Sequence, residues 1–287
     1  MSATEMQTRP SLATGSRIAA RFAALRAEGR GALIPFLEAY DPDRATSMEI
    51  LRGMPAAGAD LIEIGVPFTD PMADGPIIQL AGQRGLKAGA TLAGALSMVR
   101  EFREGDGETP VILMGYLNPI LSYGAERFAT DAAAAGVDGL IVVDMPPEEA
   151  EVLAPHARTN GLDIIRLVAP TTDAARLPIV LNASSGFVYY VAIAGITGTR
   201  SATPEALAAA IPPIRAHTDL PICIGFGVRT PEQAGHAARV SDGAVVASAL
   251  IEAMSATLDS EGRATPRTAT VMLDHVGALA GAVRGAR

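Results

Sequence analysis

The chain has 287 residues, 49% of them hydrophobic, which is ample for one large buried core or two small ones. A formal net charge of −8 argues against a polyanion such as nucleic acid as partner. No apolar run is long enough to span a bilayer, and the N-terminus lacks the positive-then-apolar pattern of a secretion signal. A single cysteine, Cys223, excludes an intrachain disulfide and fits a reducing, cytoplasmic setting. The four histidines, His156, His217, His236 and His275, form no ligand-spaced pair, so no metal site is expected.

In chain order, the first 14 residues are polar and read as a flexible tail, leaving 15–287 as the folded domain. SRIAARFAALRAEG (16–29) has apolar residues at helical spacing and is expected to cap one end of the fold. Eight short apolar runs follow: ALIPFLEA (32–39), DLIEIGV (60–66), PVILMGY (110–116), GLIVVD (139–144), DIIRLVA (163–169), FVYYVA (187–192), PICIGFG (221–227) and GAVVASA (243–249). Such near-continuous runs are what parallel strands covered on both faces look like. Helical stretches lie between them, among them ATSMEILRGMPAAG, PEEAEVLAPHARTNG and TPEALAAAIPPIRAHT. Several open on Pro or an acid and close on Gly. TPRTATVMLDHVGALAGAVRGA reads as a closing outer helix. Strands alternating with helices imply a parallel sheet, and eight units point to a single-domain (β/α)8 TIM barrel with an extra N-terminal helix. An open doubly wound sheet is the alternative.

Barrels of this kind do their chemistry at the C-terminal ends of the strands. LIEIGVPFTDPMADGP (61–76) therefore stands out, because it places Glu63 inside an apolar strand and Asp74 in the loop after it. Near the mouth, desolvation would raise the pKa of Glu63 and let it shuttle protons near neutrality. The competing readings are a structural carboxylate for Glu63 and plain turn chemistry for Asp74. At the other end, GITGTR (195–200), GFG (225–227) and Ala247-Ser248 form small-residue loops after strands six, seven and eight. Thr230 and Ser248 are placed to open helices there. Loops of this kind often bind phosphate through backbone N–H groups and helix dipoles.

LIEIGVPFTDPMADGP also resembles the signature of the tryptophan synthase alpha-subunit family. The resemblance continues through PVILMGYLNPI, DGLIVVDMPPEEA, YYVAIAGITG, LPICIGFGVRTPEQA and DGAVVASALIE, and covers roughly residues 16 to 285. It implies a (β/α)8 lyase that cleaves indole-3-glycerol phosphate to indole and glyceraldehyde 3-phosphate in tryptophan biosynthesis. In that reading Glu63 is the acid–base, Asp74 the carboxylate facing the indole N–H, and Tyr189 a tyrosine near the reacting centre. Thr197 closes toward Asp74. Gly198, Gly227, Ala247 and Ser248 hold phosphate through their amides, and Phe36 and Phe226 contact the indole. No cofactor is implied in this chain; pyridoxal phosphate belongs to a beta subunit, with which the family forms an alpha2beta2 assembly. Pro71, Met72 and Asn118 match the docking side. A stand-alone lyase and a non-catalytic, partner-binding paralogue are the alternatives. Three departures from the family pattern are Glu38 and Tyr40, where a small or neutral residue and a Gly-Asp-Pro are usual, and Ala247, where a glycine is usual.

Overall fold

The computed structural model describes residues 15–192, 203–225 and 227–286; Thr197, Gly198, Phe226 and the first 14 residues lie outside them. Nine parallel strand segments make up the sheet: β1 (Ala32–Glu38), β2 (Ile62–Gly65), β3 (Val111–Gly115), β4 (Gly139–Val142), β5 (Asp163–Ile164), β6 (Arg166–Val168), β7 (Val188–Val191), β8 (Ile222–Gly225) and β9 (Gly243–Val246). Their order is β5-β4-β3-β2-β1-β9-β8-β7-β6. β1 therefore lies in the middle of this order, pairing with both β2 and β9. β5 and β6 are one stave interrupted at Ile165: the first half pairs with β4, the second with β7. The ring thus closes through the chain itself, and the eight apolar runs become eight staves.

Helices α1 (Arg17–Ala27), α2 (Arg44–Ala57), α3 (Pro76–Lys87), α4 (Leu92–Arg103), α5 (Leu117–Tyr123), α6 (Ala125–Ala135), α7 (Ala154–Thr159), α8 (Arg176–Asn182), α9 (Pro204–Arg215), α10 (Pro231–Val240), α11 (Ser248–Ser255) and α12 (Thr268–Arg284) alternate with the strands. Capping is legible locally. Asp43, Thr91, Thr203 and Thr230 each accept an amide from the first turn of the helix they open. PEEAEVLAPHARTNG departs from the expected single helix. It forms a 3-10 turn over Pro147–Val152 and then the short α7, because Pro155 has no N–H to continue the ladder.

Alternation along the strands divides the core in two. Ala32, Ile34, Leu61, Ile112, Ile141, Ile165, Phe187, Tyr189, Cys223 and Val245 fill the barrel interior, and Ile18, Phe22 and Leu25 of α1 pack into the same cluster. α1 is therefore the plug that its apolar spacing predicts. Leu33, Leu37, Ile62, Ile64, Leu113 and Val246 face outward, under the helices.

The bottom rim is tied by carboxylates placed just before strands. Asp60 accepts the Leu33 amide at 2.8 Å, Asp138 the Val111 amide at 2.8 Å and Asp242 the Ile222 amide at 2.8 Å. Each also meets arginine: Arg21 and Arg30 at Asp60, Arg17 and Arg103 at Asp138, Arg215 at Asp242. A buried carboxylate costs little when amides and guanidinium groups surround it. The repeated use of one device explains Asp60 as structural.

Candidate active site

Glu63 lies between Ile62 and Ile64, which face the helices, and two residues after Leu61, which faces the interior. Strand alternation therefore turns its side chain inward, level with Phe36 of β1 and Ile112 of β3. It is 1% exposed, and its Oε2 finds no hydrogen-bond partner among the described residues. The competing reading, a structural carboxylate tied down by amides or arginine, describes Asp60 three residues earlier and does not describe Glu63. Burial, with a smaller push from the charge of Asp74, raises the Glu63 pKa to about 8.

Asp74 reaches the same space from the loop between β2 and α3. That loop is braced from both sides. The Tyr116 hydroxyl donates to the Asp74 carboxylate and accepts the Ala73 amide at 3.0 Å, while its ring lies 5.3 Å from that of Phe68. Gln79 of α3 donates to the Asp74 carbonyl at 2.9 Å. Burial lifts the Asp74 carboxyl to about 6, and the Tyr116 hydrogen bond pulls the other way. Two carboxyls are thereby poised on either side of neutrality, the separation that divides acid from anion in one site.

One cavity joins them. Its lining includes Phe36, Glu63, Asp74, Met114 and Tyr189 together with Gly227, Arg229, Ala247 and Ser248. Tyr189 is 3% exposed, and its hydroxyl lies where Gly225 leaves room: a Cβ there would come within 2.2 Å of it. Burial and the nearby Glu63 hold the phenol well above its ordinary pKa, so it stays protonated. Gly227 has φ +83°, a conformation that favours glycine. Ala247 has φ −118°, so its methyl group carries no backbone strain, although its position faces the cavity. Ser248 opens α11, ahead of the first backbone bonds to the Ala247 carbonyl. Its neighbouring amides are suited to an anion. Of the ten site residues expected from sequence, seven line this one cavity; Thr197, Gly198 and Phe226 lie outside the described residues.

Sequence reasoning passed over Tyr116 and Met114, and left the role of Glu38 open. Met114 and Tyr116 sit two and four residues beyond Ile112 in the run PVILMGY, so alternation alone would have pointed both inward. Glu38 follows Phe36 on the inward face of β1 and is 5% exposed. Its Oε2 lies so close over Gly65 that a Cβ there would stand 2.2 Å away. Burial, then the charges of Asp74 and Asp41, push its pKa well up, against the pull of Arg84. Arg84 is bound to Asp41 instead, at 2.6 Å and 2.9 Å. Glu38 therefore stands beside the site with a strongly raised proton affinity. Tyr40 takes φ 65°, the left-handed conformation that the family's usual glycine would adopt freely.

The fold and the site define a class: a (β/α)8-barrel enzyme whose mouth cavity is lined by poised carboxyls together with glycine-loop and helix-start residues. Comparison with known proteins narrows it. The family described as tryptophan synthase alpha chain matches residues 22–278, and the chain belongs to that family. It is 66% identical over 272 residues to the tryptophan synthase alpha chain of Acidiphilium cryptum, covering 95% of this chain and 99% of that one. The Granulibacter bethesdensis alpha chain is also 66% identical, over 95% and 98% of the two chains. Among solved structures, tryptophan synthase subunit alpha from Legionella pneumophila superposes with a TM-score of 0.85 at 37% identity, over 93% of this chain and 98% of that one. A chain of Mycobacterium tuberculosis tryptophan synthase gives 0.82 at 37%, over 94% and 98%.

Proposed function

We propose that Glu63 and Asp74 carry the reaction by which this chain, as a carbon–carbon lyase of its family, cleaves indole-3-glycerol phosphate. The observation behind this reading is the pair itself: a buried and a half-buried carboxyl on one strand–loop unit, facing a shared cavity, with one pKa near 8 and the other near 6.

Glu63 begins protonated and gives its proton to C3 of the indole ring. The ring becomes an indolenine cation whose N–H donates to the ionised Asp74, and this fixed charge stabilises the cation as it forms. The carboxylate left on Glu63 takes the proton of the adjacent glycerol hydroxyl. The bond between C3 and the glycerol carbon breaks, its electron pair returns to the ring, and the hydroxyl-bearing carbon becomes the aldehyde. Indole and glyceraldehyde 3-phosphate result, and Glu63 is protonated again. The cycle moves one proton in and one out, and no step calls on a cofactor or metal. Among the described residues, no group of three or more His, Cys, Asp or Glu could hold a metal ion.

Phe36 and Met114 offer apolar surface to the indole, and Tyr189 packs the reacting end. Gly227, Ala247 and Ser248 hold the phosphate, and Gly198, Thr197 and Phe226 keep the roles the family resemblance assigns them. The partner is a tryptophan synthase beta subunit in an alpha2beta2 assembly, which receives the indole and carries the pyridoxal phosphate. Met72, 74% exposed at the tip of the Asp74 loop, offers that partner an apolar contact. No helix among the described residues is long and apolar enough to cross a membrane. We place the chain in the cytoplasm, with its single cysteine reduced.

Glu63→Gln tests the assignment. The swap is nearly isosteric but cannot relay a proton, a function worth about 10²–10⁴ in rate. Indole release by the chain with its beta subunit should fall by that range while circular dichroism is unchanged. Activity within a few-fold of wild type would remove Glu63 from the mechanism.

A further inference from the structure

The ionisable side chains lining the cavity, apart from the Tyr189 phenol and among those described, are Glu63, Asp74 and Arg229. Glu63 is mostly protonated at neutral pH and Asp74 mostly ionised, and the proposed substrate adds a phosphate whose second pKa of about 6 makes it largely dianionic. Backbone amides at helix starts supply only partial charges against that total. Arg229 is the one full positive charge on the described wall, and it lies at the phosphate end, beside Gly227, Ala247 and Ser248.

The local structure holds Arg229 ready without committing it. Its backbone N–H donates to Gln233 Oε1 at 2.7 Å, within the cap that opens α10, so the main chain is fixed. Its guanidinium pairs with Glu252, one helical turn beyond Ser248 on α11. Both side chains are substantially exposed, at 36% and 43%, and an ion pair so placed is weak and easily exchanged. A phosphate seated against Ser248 would offer the same guanidinium a dianion in place of a single carboxylate, with the planar, two-point geometry that arginine favours. The Ala247 methyl group, where the family usually has glycine, keeps a ligand slightly farther from the backbone. A side-chain cation at the same rim offsets that loss.

We propose that Arg229 is a specificity-determining residue for the substrate phosphate, held by Glu252 when the site is empty and shared with the phosphate when it is filled. This rests on the reading of the cavity as the indole-3-glycerol phosphate site.

The test uses the full chain with its beta subunit. Glycerol 3-phosphate is the phosphate-bearing competitor of turnover, and indole is the phosphate-free one. Arg229→Gln should weaken inhibition by glycerol 3-phosphate about 10-fold, flatten its salt dependence and leave inhibition by indole within two-fold. Arg229→Lys should fall between wild type and Arg229→Gln. Glu252→Gln, which releases the guanidinium, should tighten glycerol 3-phosphate two-fold or more. The proposal is overturned if Arg229→Gln binds glycerol 3-phosphate as wild type does. It is equally overturned if Glu252→Gln weakens binding as much as Arg229→Gln, since the pair would then be purely structural. Failure of the underlying reading looks different: wild type itself would bind glycerol 3-phosphate no better than glycerol.

Discussion

At pH 7 a carboxyl with a pKa near 8 is mostly protonated, and one near 6 is mostly ionised; these are the starting states the proposed reaction needs. The profile of kcat/KM against pH should therefore be bell-shaped, falling below about 6 as Asp74 gains its proton and above about 8 as Glu63 loses its own. Asp74→Asn should be slow throughout and should lack the acid limb. An acid limb unchanged in that variant would assign it to another group, such as the substrate phosphate. The same burial has a cost in stability. The folded chain keeps the Glu63 proton between 4.5 and about 8, where the unfolded chain has lost it, so this contribution is present at low pH and drains away as pH rises through that window. The slope is about 1.4 kcal/mol per pH unit, giving a total on the order of a few kcal/mol. Glu63→Gln should thus melt higher than wild type at pH 9 and about equally at pH 4. A variant that melts lower at pH 9 would show that the ionised carboxylate has partners in the folded state.

β2 places both kinds of acid. Its approach carries Asp60 to the bottom rim, among arginines, and its middle carries Glu63 inward, where no arginine follows. Gly65, at its end, leaves room for the Phe36 ring and the Glu38 carboxyl, which a Cβ would meet at 2.4 Å and 2.2 Å. Gly65→Ala should therefore displace Phe36 from the indole end. Overpacking of this kind costs about 1–3 kcal/mol, and KM should rise with it. A variant with unchanged KM and melting temperature would mean that Phe36 and Glu38 repack freely. The loop after β2 depends on β3 for its shape, since Tyr116 anchors Ala73 and Asp74 from across the mouth.

In the whole molecule, a barrel strand carries Glu63 and a loop above the barrel carries Asp74, so their alignment depends on that loop. Asp74 sits on a loop whose tip, Met72, is exposed, so a partner that covers Met72 can favour the aligned state. Misplacement by about an angstrom can cost ~10²-fold in rate, and a partner recovers only as much as its preference for the aligned state. The isolated chain should release indole slowly, and adding a cognate beta subunit should raise the rate by about an order of magnitude or more. High turnover alone, unchanged by beta subunit, would show that the loops align without help.

The staves, the α1 plug, the α12 closure and several helix caps were legible from periodicity and local residue chemistry, because each depends on neighbours within a few positions. Glu63 was legible as an anomaly, a charge in an apolar strand, and the family motif supplied its role. Local sequence could not distinguish Asp60 from Glu63: both are acids beside apolar residues, and only the packed barrel shows which one meets arginines and which one meets a cavity. Nor could it show that the stave at Ile165 pairs with a different neighbour on each side, that Tyr116 holds Asp74, or that Glu38 rests over Gly65. Those relations join residues tens of positions apart. They arise when the ring closes, and it is closure that removes water from the carboxyls and sets their proton affinities.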